Sequence, residues 1–244
     1  MELRNCKALV TGAGVRIGRA IAVALAAEGC DVALQYHRSR DGAEETAAAV
    51  AAHGRRAVLL AADLGDADAA TALLERARAE LGDVDVLINS AAIFLPGDLA
   101  STTLAEWDAQ HALNLRAPFL LSQAFARQDA IADRPRKIVN VADARIRRPG
   151  RDHLAYRLTK VALAHLTELL ALELAPRITV NAVAPGAILP PPGEGAAAFE
   201  QRVRAQVPLG RAGGTAAVAS AVLYLLREDF VTGVVLPVDG GEFL

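Results

Sequence analysis

Short apolar runs rich in β-branched residues alternate along this chain with longer stretches rich in Ala and Leu. That strict alternation restricts the possible folds more than any other feature. Residues 8–11, 32–36, 57–61, 84–89, 137–141, 178–183 and 233–238 read as strands. Several show little apolar–polar alternation, as strands covered on both faces do. Between them, residues 16–28, 43–53, 67–81, 104–128, 153–174 and 215–227 carry helical spacing. Gly29, Gly54 and Gly82 each follow such a stretch, where a left-handed C-terminal cap is expected. Parallel neighbours need crossovers, and right-handed crossovers through helices build a doubly wound sheet. The expectation is a single-domain α/β fold over residues 1–244. Its core is a Rossmann-type, doubly wound parallel sheet of about seven strands with helices on both faces.

The length of 244 residues suits one such domain. A formal net charge of −2 gives no overall basic field for nucleic acid or an anionic membrane, so neither is expected as a partner. No apolar run approaches the roughly 20 residues that span a bilayer. Glu2, Arg4 and Lys7 follow Met1 at once, which argues against a secretory leader. Cys6 and Cys30 are the only cysteines, too few for a disulfide framework or a four-thiolate zinc site. The cytoplasm is the expected compartment. His111, His153 and His165 show no ligand spacing, and no metal is expected. No internal repeat or linker is visible. The Pro- and Gly-dense stretch 185–195 reads as a mobile loop, within a substrate loop near 186–205. Only Lys7, Lys137 and Lys160 are lysines among 26 basic residues, so each lysine is a candidate for a place where arginine does not serve.

After the first strand comes Thr11-Gly12-Ala13-Gly14-Val15-Arg16-Ile17-Gly18. A glycine-rich turn opening a helix lets backbone N–H groups and the positive helix end approach a pyrophosphate, although glycine also marks ordinary β–α loops. The spacing Gly12, Gly14, Gly18 has one residue more than G-x-G-x-x-G. A carboxylate for the adenine ribose hydroxyls usually closes the second strand. Here that place holds Tyr36-His37-Arg38-Ser39. A guanidinium and a hydroxyl suit a ribose 2′-phosphate, because arginine offers forked donors to a dianion. A solvated arginine is the plainer alternative. Asp63, closing the third strand, stands either where an adenine amino group is met or at a helix cap.

Val139-Asn140-Val141-Ala142-Asp143 ends the fifth strand, and Tyr156-Arg157-Leu158-Thr159-Lys160 opens the next helix. Residues four apart share a helix face, so Tyr156 and Lys160 project together. A nearby ammonium favours phenolate, which predicts a lowered tyrosine pKa and a usable proton donor. Asp143 has its own logic. Carbonyl reduction builds negative charge on oxygen, which an ionised carboxylate repels. Reduction of a ring C=N instead requires a proton on nitrogen, which an Asp–Tyr pair can relay. Asp143 therefore favours an imine-containing heterocycle, unless it merely caps the following turn.

On these residues the chain resembles the short-chain dehydrogenase/reductase family over essentially its whole length. The matching pieces are the Thr11–Gly18 turn, the strand end at 86–92, Asn114, Tyr156 with Lys160, and Pro185-Gly186. The usual serine after strand five is absent. Arg16, His37-Arg38-Ser39, Asp143, Phe94 and the tail Asp239-Gly240-Gly241-Glu242-Phe243-Leu244 resemble the pteridine reductase branch, from which Ser90-Ala91-Ala92 departs. The resemblance implies catalysis by Asp143, Tyr156 and Lys160. It implies NADPH contacts at Gly12, Arg16, Ile17, His37, Arg38, Ser39, Asp63, Leu64, Asn89, Ala91, Tyr156, Lys160, Pro185 and Gly186. Substrate contacts fall at Arg16, Phe94, Asp143 and Tyr156, with Phe94 offering a flat face for a pterin. Asn114 holds either a water or a helix bend near Lys160.

The expected function is NADPH-dependent reduction of a dihydropterin or dihydrofolate. The alternatives are a reductase of carbonyls or other imines, and a catalytically silent NADPH-binding protein. Helices 104–128 and 153–174 carry more apolar surface than one sheet covers, illustrated by Ala162, Leu163, Leu166, Leu170 and Leu174. In the resembled family such helices pair into a tetramer, and a homotetramer is expected.

Overall fold

The computed structural model of the protein describes residues 1–128, 135–191 and 193–244. Seven parallel strands form one sheet in the order β3-β2-β1-β4-β5-β6-β7. They are β1 (Lys7–Val10), β2 (Asp31–Tyr36), β3 (Ala57–Ala61), β4 (Val86–Asn89), β5 (Arg136–Val141), β6 (Ile178–Pro185) and β7 (Val235–Val238). The order reverses between β1 and β4, so loops leaving the carboxyl ends of those strands diverge and open a crevice there. The expected seven-stranded doubly wound sheet is what the chain forms.

Apolar side chains divide by strand parity even though the strands look uniformly apolar. In β1, Ala8 and Val10 face α1 (Arg16–Ala27) and α8 (Gly214–Arg227), whose Ile21, Leu25, Val218 and Val222 join them in one core. Leu9 faces the other way, into a second core with Leu73 and Leu74 of α3 (Ala67–Leu81). Leu121 and Phe125 of α5 (Ala117–Ala126) and Leu170 and Leu174 of α6 (Leu154–Leu174) complete that side. Both sheet faces are covered, which is why no strand alternates in polarity. The last of the short helices on the first face is α2 (Arg40–Ala52).

Two expected elements differ. The helix expected over 104–128 is three pieces: α4 (Leu104–His111), a π-helical turn (Ala112–Arg116) and α5. Asn114 sits in that turn, fully buried, and supplies the cause. Its Nδ2 donates to the Ile93 carbonyl at 3.0 Å and to Thr159 Oγ1 at 3.2 Å, while its Oδ1 accepts from the Ile93 amide at 2.9 Å. Three long-range bonds hold the wider turn in place. Asn114 thus holds the helix bend expected of it.

The second difference is α7 (Ala196–Gln206), within the stretch expected to be loop. Phe199 and Val203, one turn apart, are buried with Ala187 and Val207 in a small separate cluster. The segment between Pro185 and α7 remains irregular, with Pro192 outside the described residues.

Two of the three lysines are buried. Lys137 is 1% exposed, and its Nζ donates to the Glu228 carbonyl at 2.6 Å and to Asp229 Oδ1 at 2.8 Å. The amino group of Met1 binds the same carboxylate oxygen at 2.9 Å. A compact ammonium fits that narrow cage where a planar guanidinium does not.

Candidate active site

Two cavities meet at the turn after β1, sharing Gly12, Val15, Ala91 and Ala92. The turn itself is fixed from two sides. Gln35 Oε1 accepts from the Gly12 amide at 2.8 Å while its Nε2 donates to the Ala62 carbonyl at 2.8 Å. Thr11 Oγ1 accepts from the amides of Ser90 and Ala91 at 2.9 and 3.0 Å. Glycine is required at position 12, where φ is +64° and a Cβ would lie 2.9 Å from Ala91 Cα. Helix α1 starts without a side-chain cap and without an acid in its first turn. Its first N–H groups are thus left for an external anion, and the residues fit a dinucleotide pyrophosphate.

The outer groove, about 1370 Å³, runs from Gly12 past His37, Arg38 and Ser39 and past Asp63 and Leu64. It continues to Phe119 of α5 and Leu169 of α6. Arg38 is exposed and has no ion pair among the described residues, so it is available to a ligand phosphate. Asp63 neither caps a helix nor stands free: its Oδ1 accepts from the Gly65 amide at 2.9 Å and lies 3.8 Å from His37 Nδ1. The cap of α3 is Asp66. Asn89 departs from expectation. Its side chain turns into the sheet, donating to Asn140 Oδ1 at 2.8 Å, and borders neither cavity.

The inner cavity, about 430 Å³, brings together Arg16, Ile17, Phe94, Asp143, Tyr156 and Lys160 with Pro185 and Gly186. Tyr156 Oη donates to Asp143 Oδ2 at 2.8 Å. Asp143 Oδ1 accepts from the Arg145 amide at 2.7 Å and thereby caps a 3₁₀ turn, Ala144–Arg147. The two readings of Asp143, proton relay and cap, thus fall on its two different oxygens. Lys160 is buried, donates from Nζ to the Val141 carbonyl at 2.7 Å, and sits 5.7 Å from the Tyr156 ring centroid. Burial pulls its ammonium down to about 8.

The tyrosine corrects the sequence-based expectation. Its pKa is not lowered but pushed well above the ordinary phenol value, by burial first and then by the Asp143 carboxylate. The reason is tertiary: the ring is enclosed, and the nearest hydrogen-bond partner is an anion that holds the phenolic proton. Among the groups acting on it, Arg145 and Arg157 are the ones that favour phenolate.

Phe94 is also more occupied than expected. His153 stacks on it with centroids 3.9 Å apart and planes 10° from parallel, and Tyr156 meets it edge-on at 4.6 Å. The Arg145 guanidinium carbon lies 5.2 Å from the centroid of the same ring. The same guanidinium reaches Asp143 Oδ2 at 3.2 Å. Arg16, with φ of +51°, points both terminal nitrogens at the Pro190 carbonyl, at 3.2 Å each, so it bridges the glycine turn and the substrate loop.

Several residues in and beside the cavity carried no recognisable pattern in the sequence. Arg145 and His153 act on Phe94, and Glu242 Oε2 accepts from the Ala187 amide at 2.7 Å across 55 residues. Burial raises the Glu242 carboxyl above its usual range. Only the tail resemblance hinted at Glu242.

A nucleotide-type crevice beside a buried Tyr–Lys pair defines an oxidoreductase of the dinucleotide-binding α/β class. A family model described as enoyl-(acyl carrier protein) reductase matches residues 12–242. L-xylulose reductase from Bos taurus is 36% identical over 247 residues, covering 99% of this chain and 98% of that one. Among solved structures, FolM alternative dihydrofolate reductase 1 from Brucella suis, in complex with NADP, superposes with a TM-score of 0.93 at 34% identity. It covers 100% of this chain and 96% of its own. A short-chain dehydrogenase from Burkholderia cenocepacia, also with NADP, gives 0.92 at 35% identity, with 100% of both chains covered. The chain belongs to the short-chain dehydrogenase/reductase family.

Proposed function

We propose that the protein is an NADPH-dependent pterin reductase, converting a dihydropterin or dihydrofolate to the tetrahydro form. The observation that carries this reading is the Tyr156–Asp143 hydrogen bond of 2.8 Å, in a buried site where a hydroxyl donor would serve a ketone. Bound NADPH supplies a hydride. Asp143 holds the Tyr156 proton at Oη until the ring nitrogen of the substrate becomes basic, and the pair then delivers it. Lys160, tethered to Val141, places a cation beneath the ring as the phenol gives up its proton. Arg16 and Phe94 border the same space, where Arg145 must move off the Phe94 ring for a flat substrate ring to stack on it. Gly12, Ile17, Leu64, Ala91, Pro185 and Gly186 would line the cofactor's path, with His37, Arg38 and Ser39 around its 2′-phosphate. Asp63 stands at the adenine end of that path. The stretch 186–205, irregular at first and then α7, would close above them. The NADP bound by the Brucella and Burkholderia proteins, and the dihydrofolate reductase name of the former, support the assignment.

The second reading is a carbonyl reductase, favoured by the similarity to L-xylulose reductase. NADPH oxidation assayed with dihydrobiopterin, dihydrofolate and a simple ketone separates the two. Turnover of the ketone alone would reject the pterin reading.

The same proposal includes a cytoplasmic homotetramer. Cys6 and Cys30 are buried and not joined in a disulfide, which suits a reducing compartment. Phe119, Leu158, Val161, Leu169 and Leu172 are exposed on α5 and α6. These replace the residues expected at the interface, since Leu163, Leu170 and Leu174 turn inward. Sedimentation showing only a 25.5 kDa species would refute the tetramer.

A further inference from the structure

Residues 145–151 read Arg-Ile-Arg-Arg-Pro-Gly-Arg, four arginines in seven positions. This run leaves the reaction centre directly. Asp143 and Ala144 are buried, Arg145 and Ile146 are half-buried, and the chain is exposed from Arg147 to Arg151. Five residues thus lead from the carboxylate that holds the Tyr156 proton to open solvent.

The run is organised rather than loose. Arg157, on the first turn of α6, donates from Nε and Nη2 to Asp152 Oδ1 at 3.2 and 2.6 Å, and from Nε to the Asp152 carbonyl at 2.9 Å. Its Nη1 lies 3.4 Å from the carbonyls of both Arg145 and Arg148. A side chain at Gly150 would collide with the same guanidinium. The adjacent carboxylate, Asp152, is thereby engaged by Arg157 and His153. Arg147, Arg148 and Arg151 are left without an ion pair or a side-chain hydrogen bond among the described residues. Arg145, the innermost, lies in the cavity over Phe94.

The inner cavity, at about 430 Å³, is near the small end of ligand pockets, which run from about 300 to 1,000 Å³. It takes a bicyclic ring and its reacting bond, and a long substituent must run out across the rim. Arginine forks match carboxylates and phosphates in pairs. We infer that the 145–151 run is a binding site for an anionic side chain on the substrate, such as the carboxylates of a glutamyl chain. The preferred substrate is then a dihydrofolate carrying its tail rather than a bare dihydropterin. A phosphate ester on the pterin side chain shares this chemistry. The inference rests on the pterin reading of the same site.

The test is steady-state kinetics with NADPH on four substrates: a tail-less dihydropterin, its phosphate ester, and dihydrofolate with one and with three glutamyl residues. The unmodified protein should show a KM that falls with added anionic charge. Salt should erase the difference, since exposed charges are screened beyond about 8–10 Å near physiological ionic strength. The variant Arg147→Ser/Arg148→Ser/Arg151→Ser should lose the preference by about tenfold, as two or three exposed ion pairs would give. Its kcat and KM on the tail-less substrate should not move. A gain for the phosphate ester and none for the glutamyl chain identifies phosphate as the natural anion. Equal KM for charged and uncharged substrates, or a preference that survives in the variant, overturns the inference while leaving the pterin reading intact. Turnover of none of the four rejects both.

Discussion

Replacing Asp143 by Asn tests whether the carboxylate moves a proton or only orients the phenol. Asn keeps an acceptor for the Arg145 amide, now at 2.7 Å, so the 3₁₀ turn survives. Its Nδ2 then takes the place of Oδ2 and meets Tyr156 Oη, at 2.8 Å in the unmodified protein, as a donor. What it removes is the charge and the acceptor of the phenolic proton. A hydrogen bond to a charged partner contributes about 1.5–3 kcal/mol against about 1 for a neutral one. If Asp143 only orients the ring, the loss is the difference, about 0.5–2 kcal/mol, or about two- to thirtyfold in rate. General acid–base transfer contributes about 10²–10⁴-fold. The relay mechanism therefore requires Asp143→Asn to lower kcat on dihydropterin by at least about a hundredfold. The interaction is strongest as the proton moves, so kcat and kcat/KM should fall together while NADPH binding is kept. Single-turnover and steady-state NADPH oxidation measure both, and a thermal melt checks that the turn is intact. A drop of less than tenfold, with an unchanged melt, would show that the carboxylate is structural and the relay wrong.

Three other outcomes follow from the geometry. Arg38→Asp should raise the KM for NADPH by about tenfold or more through a lost charge-assisted pair, with NADH little affected; equal use of both cofactors by the unmodified protein would refute the assignment of the 2′-phosphate site. Lys160 loses its proton near pH 8, so a pH–rate profile should fall on the alkaline side from about that value, and Lys160→Arg should not rescue it, because the guanidinium does not fit at the Val141 carbonyl. Asp229 is held below the usual carboxylate range by its hydrogen bonds to Lys137 and the Met1 amine; its contribution is present above the ordinary carboxylate pKa and fades as pH falls through the lowered one. Asp229→Asn should cost about 1 kcal/mol at neutral pH, small because the carboxylate is largely exposed, and the deficit should vanish in denaturation at low pH.

What the sequence made legible was whatever depends on near neighbours. The β–α alternation, the glycine turn and the Tyr156–Lys160 pair are all local patterns, and the structure brings them together at the mouth of one crevice. What depended on distant partners was hidden. The π turn exists because Asn114 bonds to Ile93 and to Thr159, residues that its own neighbourhood does not foretell. The direction of the Tyr156 shift follows from enclosure, which periodicity does not report. Helix α7 is a different case. Its Ala-rich run with Phe199 and Val203 four apart was readable, but the prolines and glycines just before it made the whole stretch look like loop.

The π turn also bears on how this chain can change its length. A π turn holds one more residue per loop of backbone than its α-helical neighbours, so it amounts to a single-residue insertion kept in register by Asn114. Deleting one residue between 112 and 116 would let the helix close into an ordinary spiral with everything after it in the same phase, because the π turn has already absorbed the extra residue. Ala117, Leu121 and Phe125 would keep their places in the core, and the loss would fall on Asn114 and its bonds to Ile93 and Thr159. A neighbouring surface loop such as that at Asp98–Ser101 can gain or lose a residue cheaply. At the π turn a residue would go without turning the core face of α5, and what would go with it is the tie between the helix and the backbone of Ile93 beside the outer groove.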